Sequence, residues 1–412
     1  MTPSTATEVD LSTIDILDPK WFEDGPPHEL FARMREEAPV RRNATADLGE
    51  FWSLTRASDI AAVSKDSGTF SSSQEGVFTV RDLVAPLELQ RSVLLYKDPP
   101  DHTKYRKILQ SAFVPATVNK MEDDVRAVVN RVLDDVIEQG EADAVADIAV
   151  RIPLMVLAEL MGLPEEDVPQ LYEWTNQIED SANTYEPAQA VETFMAMAGY
   201  LHAQVERQIA EGNSDSLVMR LRNAEVEGEK LDDPEIMLFF ALLVFAGNDT
   251  TRNTTSSGLQ ALLEHPEQLA KIRENPELLP QAVEELLRWT SVVQYFVRTA
   301  TTDAEIGGEQ IAAGDRLVMW YTAGSRDPER YEDPGTFDIE RPEHAHMAFG
   351  GGGRHFCLGA GLARLELRII FEEILRRLEN IELAGEPSRR VSPWVNALTH
   401  LPIRFTPGAK QG

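Results

Sequence analysis

The stretch from Asp232 to His265 is predicted to form one long helix, and it restricts the possible folds more than any other segment. Asp232-Asp233-Pro234 is a typical helix start, and Pro266 ends the segment. At about 1.5 Å per residue, such a helix spans roughly 48 Å, enough to cross a whole protein of this size. Its first half, up to Ala246, is apolar on all sides, as in a helix buried within a core. The sequence therefore predicts a protein organised around one long buried helix.

Helical patterns also dominate most of the remaining chain. The helical part covers mostly residues 100–290 and 358–380, and the β-rich part covers mostly residues 36–60 and 292–320 plus the C-terminal tail. Gly307-Gly308 is a hairpin signal within the second β-rich stretch. No linker of the length that separates domains is recognisable. We expect a mainly α fold with a minor β portion, forming a single domain over residues 1–412.

Composition excludes several classes of function. With 39 Lys and Arg against 69 Asp and Glu, the formal net charge is −30, which repels phosphate backbones and argues against nucleic acid as a partner. The single cysteine rules out internal disulfides, zinc ribbons and cysteine-ligated iron–sulfur clusters. The longest apolar run, Ile236 to Ala246, is shorter than the about 20 residues of a membrane span, and Met1 to Leu17 lack signal-peptide features. We expect a cytoplasmic protein without membrane contact.

The only cysteine lies in an unusual setting, after the run Gly350 to Gly353 and before a predicted helix. Consecutive glycines let the backbone approach another group closely and adopt positive φ. Near a helix start, and beside Arg354 and His355, the thiol of Cys357 is favoured as a thiolate. One alternative is a small buried apolar cysteine, and another is a phosphate-binding loop, although the Lys-Ser/Thr ending of such loops is missing. The pattern best suits a thiolate ligand to a flat cofactor that carries anionic groups.

Polar residues interrupt the long helix at its middle. The run from Gly247 to Thr251 follows directly on the apolar segment and consists of mediocre helix formers. The Thr250 hydroxyl is predicted to bond the carbonyl of Ala246, four residues earlier. One interpretation is that the helix emerges into water here, since residues 251–257 are polar as well. The other is that an acid, Asp249, and an alcohol are placed to relay protons into an apolar pocket.

A third pattern is Glu285-Leu286-Leu287-Arg288, which places a Glu/Arg pair on one helix face. Such pairs usually decorate exposed helices and carry little information alone. The same spacing occurs at Glu88–Arg91, Glu373–Arg376 and Glu386–Arg389. The pair gains weight only from its order relative to the helix and cysteine patterns.

In this order, the three patterns resemble the cytochrome P-450 superfamily of haem-thiolate monooxygenases, and the resemblance covers nearly the whole chain. The matching segments are 98–106, Ala246-Gly247-Asn248-Asp249-Thr250, the Glu285/Arg288 pair, 337–341, and the loop residues Gly353, His355, Cys357 and Gly359. One feature departs from the family pattern. Phe349 lies eight residues before Cys357, where the family usually has seven, and the extra residue falls in the glycine run. Members that resemble steroid- or terpene-oxidising bacterial enzymes show a similar loop.

The resemblance implies the cytochrome P-450 fold and a role for each matching residue. Cys357 would be the proximal ligand of the iron of haem b, its electron donation favouring O–O cleavage. The residues that would bind the haem propionates are His102, Arg106, Arg298 and His355. Asp249 and Thr250 would deliver protons during catalysis. The residues that would fix the haem-loop side of the fold are Glu285, Arg288 and Arg341. The substrate pocket would be lined by Phe245, Ala246, Val293, Phe296 and Val395.

The resemblance also implies a function, which is the insertion of one atom of O₂ into a hydrophobic small molecule of terpenoid, steroid or aromatic type. Electrons would come from NAD(P)H through ferredoxin reductase and ferredoxin, because this chain has no recognisable flavin or ferredoxin domain. One alternative is a haem-thiolate enzyme that uses peroxide or rearranges its substrate. Another is a non-catalytic haem sensor or carrier. Asp249-Thr250 favours the monooxygenase, since the first alternative often lacks this pair and the second has no use for it.

A chain this acidic attracts an acidic ferredoxin only through a local exception. Basic residues that would supply it, in the segment entering the family's helix C and around the cysteine, are Lys97, Lys104, Arg106, Lys107, Arg354 and Arg364. Fields beyond a Debye length of about 8 Å are screened at physiological salt. We expect the electron donor to dock at this basic cluster.

Overall fold

The structure is a computed structural model that describes residues 9–45, 49–80, 86–184, 187–342 and 345–411. Helices make up 52% and strands 13%, so the predicted mainly α fold with a minor β portion is confirmed. The chain folds into two compact units. Unit 1 comprises Met1–Arg81, Glu264–Cys357 and Ser388–Thr399, and unit 2 comprises Asp82–Leu263, Leu358–Pro387 and His400–Gly412. The single-domain organisation stays a prediction.

The described residues form α-helices and β-strands, numbered here in chain order. The helices are α1 (His28–Glu37), α2 (Ala57–Lys65), α3 (Leu87–Gln90), α4 (Asp101–Gln110), α5 (Pro115–Val118), α6 (Glu122–Asp134), α7 (Arg151–Met161), α8 (Val168–Thr184), α9 (Pro187–Glu211), α10 (Leu217–Arg222), α11 (Asp233–Glu264), α12 (Pro266–Glu274), α13 (Leu279–Thr290), α14 (Tyr321–Gly324) and α15 (Ala360–Arg377). The strands are β1 (Val40–Thr45), β2 (Gly49–Leu54), β3 (Phe70–Ser71), β4 (Glu141–Asp143), β5 (Glu225–Val226), β6 (Glu229–Lys230), β7 (Tyr295–Ala300), β8 (Ala304–Ile306), β9 (Glu309–Ile311), β10 (Arg316–Trp320), β11 (Glu382–Leu383), β12 (Ser388–Arg389), β13 (Leu398–His400) and β14 (Pro402–Arg404).

Unit 1 is built on a sheet with the strand order β1-β2-β10-β7-β3. Strand β10 runs parallel to β2 and antiparallel to β7. Helix α2 belongs to the same core as the sheet, through Ile60 on the helix and Leu54 and Leu317 on the strands. Strands β8 and β9 form the hairpin that Gly307-Gly308 predicts, and both glycines have the positive φ that a two-residue turn of this kind needs, +58° and +88°. The hairpin prediction is confirmed.

Unit 2 is helical and contains α11, which runs for 32 residues. At its start, Glu235 N donates to Asp232 Oδ1 at 2.8 Å and Asp232 N donates to Glu235 Oε2 at 3.1 Å, a reciprocal cap that satisfies free backbone donors. Phe239, Phe240 and Val244 are fully buried. The predicted long buried helix is therefore confirmed. Among the described residues, no helix combines the length and the apolar character that crossing a bilayer requires.

Candidate functional site

The glycine loop before the cysteine lies against the end of helix α2 within unit 1. Positive φ values of +94°, +94° and +77° occur at Gly350, Gly352 and Gly353. Residues with side chains rarely adopt this region. A Cβ atom on Gly351 or Gly353 would also overlap Ser64. The loop therefore needs glycine both for its backbone conformation and for its close approach to α2.

Cys357 ends this loop with an exposed side chain and takes part in no disulfide. Its backbone N–H donates to Phe349 O at 3.1 Å, which closes the loop. Helix α15 begins shortly afterwards at Ala360. The interpretation of Cys357 as a small buried apolar residue is wrong. An exposed thiol beside bare glycine backbone fits a flat group that approaches both closely, which is what a haem requires.

The residues predicted to bind propionates occupy three elements. His102 and Arg106 lie one turn apart on α4 of unit 2, the histidine buried and the arginine half-buried. In unit 1, Arg298 is buried on β7 and donates from Nη1 to Val297 O at 2.7 Å. The His355 Nε2 atom lies 3.2 Å from Ser72 Oγ. Side chains of these types form the charge-assisted hydrogen bonds that carboxylates accept.

Helix α11 is open on one face at its middle. Ala246 and Gly247 are exposed and Thr250 is half-buried, although the helix around them is mostly buried. The Thr250 Oγ1 atom donates to Ala246 O at 3.0 Å, so the predicted side-chain-to-backbone bond is confirmed. The small side chains leave room beside the helix for a flat group. This opening fits the haem that the resemblance implies.

Asp249 lies one residue before Thr250 but is buried. Its Oδ1 atom is 3.1 Å from Arg252 Nη2, and both side chains are about 5% exposed or less. The Arg252 guanidinium lies over the ring of Tyr172 on α8, with 5.8 Å between the guanidinium carbon and the ring centroid. Asn248 Nδ2 is 3.4 Å from Asp249 Oδ1. The acid is thus held by an arginine that the sequence analysis did not single out, although the Asp/Arg spacing on the helix was its signal.

The polar stretch 251–257 is buried throughout, so the interpretation that α11 emerges into water here is wrong. Two of the hydroxyls bond carbonyl groups of the helix itself, which lets them lie away from water. Thr254 Oγ1 donates to Thr250 O at 2.8 Å, and Ser256 Oγ donates to Arg252 O at 3.1 Å. Thr and Ser can satisfy their one donor in this way. The polar character of a sequence segment does not show whether its hydroxyls form such bonds.

Glu366 on α15 is a second group that the sequence analysis missed. It is fully buried in unit 2 and hydrogen-bonded with Thr251, and burial raises the pKa of its carboxyl to about 8. The carboxyl is therefore neutral at pH 7 in the folded protein. Its helix carries charged residues on several faces, and nothing in the sequence marks this one as buried.

Glu366→Gln is expected to gain stability relative to the parent as pH rises. The unfolded chain ionises Glu366 near its ordinary pKa of 4.5, whereas the folded protein keeps the proton up to about pH 8. Between these values the folded state binds the extra proton, so the parent loses about 1.4 kcal/mol of unfolding free energy per pH unit and the variant does not. Urea unfolding across this range measures the difference. Glu382→Gln, at an exposed pair with Arg404, is the control and should follow the parent. Parallel curves for Glu366→Gln and the parent would refute the buried neutral carboxyl.

Glu285, Arg288 and Arg341 meet in one buried cluster of unit 1. Arg288 donates to both carboxylate oxygens of Glu285, at 2.6 and 2.7 Å, and Arg341 Nε lies 3.3 Å from Glu285 Oε2. Both arginines also donate to Thr336 O, at 3.1 and 2.9 Å. Breaking a buried pair by removing one partner costs about 3–5 kcal/mol, so this cluster holds α13 to the segment around residues 332–341.

The predicted pocket residues lie in both units. In unit 1, Val293 and Val395 pair as an antiparallel bridge, with Val395 buried. The Phe296 ring lies 5.7 Å from that of Phe78, which in turn lies 4.9 Å from the ring of Trp394. Phe78 lies in a loop whose sequence has no clear period, so its contact with Phe296 could not be predicted. In unit 2, Phe245 is half-buried and Ala246 is exposed on the open face of α11.

Comparison with known proteins identifies the family. Residues 182–403 match the family described as cytochrome P-450. A steroid C26-monooxygenase of Mycolicibacterium smegmatis is 34% identical over 410 residues, covering 97% of this chain and 95% of the relative. A methyl-branched lipid omega-hydroxylase of Mycobacterium tuberculosis is 35% identical over 415 residues, with 97% and 95% covered. A Mycobacterium marinum cytochrome P-450 in complex with pseudoionone is similar in structure, with a TM-score of 0.88, 34% identity, and 95% of this chain and 98% of that chain covered.

These matches agree with the order of motifs, with the glycine loop that ends at Cys357, and with the predicted fold, which is confirmed. The chain belongs to the cytochrome P-450 family, and it is a haem b monooxygenase that hydroxylates hydrophobic small molecules.

Proposed function

We propose that Cys357 supplies the thiolate to the haem iron and that the propionates are bound by His102, Arg106, Arg298 and His355. The observation that carries this proposal is the exposed Cys357 thiol at the end of a loop whose glycines leave the backbone bare. Cys357 is also the only cysteine of the sequence. When bound, the haem activates O₂ for insertion into a C–H bond.

We further propose that Asp249 and Thr250 handle the protons that this chemistry consumes. The Thr250 hydroxyl donates its one proton to Ala246 O, so its lone pairs are left to accept a hydrogen bond on the open face of α11. Asp249 is a buried carboxylate one residue away, held in place by Arg252. A carboxylate can take up a proton and return it to another group.

The substrate is proposed to be a neutral, branched hydrophobe of steroid, terpenoid or methyl-branched lipid type. The relatives are named for a steroid and for methyl-branched lipids, and the M. marinum structure holds pseudoionone. The residues proposed to line the pocket are apolar, namely Phe245, Ala246, Val293, Phe296 and Val395. Such a site selects by shape and area, at about 0.8 kcal/mol for each buried methylene group.

A titration of the haem spin state tests the substrate class. A steroid, a methyl-branched fatty alcohol and pseudoionone are added separately to the oxidised protein, and glutarate serves as the small charged control. We expect a spin shift with at least one of the three hydrophobes and none with glutarate. A shift with glutarate alone would overturn the proposed class.

We propose that a ferredoxin delivers the electrons, which it receives from NAD(P)H through ferredoxin reductase. We also propose that the chain acts as a single domain and works in the cytoplasm. Within the basic cluster expected from the sequence, Lys104 is already paired, with Asp101 at 3.1 Å and with Glu227 at 3.0 Å. Lys65, which was not part of that expected cluster, lies beside Gly352 of the glycine loop and is exposed.

Omitting ferredoxin from the reconstituted system should stop turnover, whereas equal turnover with peroxide alone would favour the peroxide-using alternative.

A further inference from the structure

His346 lies four residues before Gly350, where the glycine loop begins, and its side chain is buried in unit 1. Its Nδ1 atom accepts the backbone N–H of Ala348 at 3.2 Å, and its Nε2 atom lies 3.3 Å from Glu284 Oε2. An amide N–H can only donate, so Nδ1 must offer its lone pair. Nε2 therefore carries the proton and donates it to Glu284. The two contacts fix both the tautomer and the orientation of the ring.

The ring of His346 in turn contacts the residue that holds the cysteine. Its centroid lies 5.5 Å from that of Phe349, with the planes tilted by 47°. The Phe349 ring lies 6.1 Å from that of Phe356. The Phe349 carbonyl accepts the backbone N–H of Cys357 at 3.1 Å. A continuous path of contacts thus leads from Glu284 through His346 and Phe349 to the backbone of the cysteine.

Helix α13 supplies the fixed end of this path. Glu284 and its neighbour Glu285 are separate anchors, since Glu285 binds the two buried arginines and Glu284 binds His346. An α-helix held by a buried ion cluster is a rigid support for a loop whose glycines have little side-chain packing of their own. The loop here is also one residue longer than the usual family pattern, which leaves it more conformations to restrain.

We propose that Glu284 and His346 form a positioning pair that holds Cys357 in the geometry of a thiolate ligand. The inference rests on the proposed role of Cys357. Loss of either partner removes the bond that orients the His346 ring and frees the Phe349 ring to move, which loosens the backbone that carries the thiolate. Both residues act on Cys357 through Phe349.

The experiment follows how long the reduced carbon monoxide complex keeps its red-shifted thiolate band at a fixed temperature. The variants are His346→Asn, which is too short to reach Glu284, and Glu284→Ala, which removes the acceptor. His346→Gln keeps a donor at the position of Nε2 and serves as the conservative rescue. His202→Asn is the matched control, since His202 Nε2 lies 3.4 Å from Glu206 Oε1 in an exposed pair.

His346→Asn and Glu284→Ala are expected to lose the band about tenfold faster than the parent, with His346→Gln in between and His202→Asn like the parent. Helix melting, followed by circular dichroism, should fall by a few degrees at most, too little to account for the faster loss at a fixed temperature well below it. Equal rates of band loss in the parent and the two variants would overturn the proposal, and so would faster loss that merely follows a lower melting temperature. A parent protein without the red-shifted band would instead refute the role of Cys357 itself.

Discussion

Replacing Cys357 with alanine is expected to abolish substrate oxidation and the thiolate spectrum while leaving the helical fold in place. The chain contains no second cysteine that could take over as a ligand. The contact of residue 357 with Phe349 O runs through its backbone N–H, so the substitution keeps it. Product formation, the spectrum of the reduced protein with carbon monoxide, and circular dichroism measure the three parts of this prediction.

Cys357→Ser separates the shape of the side chain from its charge. Serine is nearly the same size, but its hydroxyl ionises far less readily than a thiol and supplies no anionic ligand near neutral pH. We expect the serine variant to lose oxidation as completely as the alanine variant. If either variant kept the parent's spectrum and rate, another residue would have to be the ligand.

Thr250→Ala is expected to bind haem and substrate normally but to divert most reducing equivalents into hydrogen peroxide. The variant loses the hydroxyl that lies on the open face of α11 with its proton donated to Ala246 O. Without this acceptor, the delivery of protons at the open face would no longer favour oxidation of the substrate over release of peroxide. A positioned acid–base group contributes about 10²–10⁴-fold, so the product formed per NAD(P)H consumed should fall about tenfold or more. Parallel assays of product, NAD(P)H and peroxide give this ratio.

Thr254→Ala is the matched control for this prediction. Thr254 lies one turn further along the same face of α11 and bonds Thr250 O at 2.8 Å, but it is buried, beyond the open part of that face. Its removal should leave the coupling of the parent unchanged. Asp249→Asn should mainly slow turnover, because the adjacent carboxylate would no longer exchange protons. Unchanged coupling in Thr250→Ala, or an equal loss in Thr254→Ala, would contradict the relay.

Features set by local chemistry could be predicted from the sequence. The start of α11 follows from Asp232-Asp233-Pro234, and the β8–β9 turn follows from two glycines that tolerate positive φ. The bond between Thr250 and Ala246 depends only on helix geometry and on the reach of a threonine side chain. Each of these features depends on residues within a few positions of one another, so the pattern contains the cause.

Features set by distant residues could not be predicted in the same way. Glu366 keeps its proton because unit 2 closes around it. The charge of Lys104 is paired with that of Glu227, more than a hundred positions along the chain. The Glu285 cluster is an intermediate case. Its Glu/Arg spacing is visible in the sequence, but only the fold separates it from the partly exposed Arg376–Glu373 pair, which has the same spacing. Burial by segments remote in sequence therefore decides which charged residues belong to a site.

The absorption spectrum of the reduced parent protein with carbon monoxide tests the central claim most directly. That claim is that Cys357, as a thiolate, ligates the iron of haem b. Thiolate ligation shifts the Soret band far to the red of the position found for histidine-ligated haem proteins. We predict the red-shifted band in the purified, folded protein, and a Soret band at the position typical of histidine ligation would contradict the account.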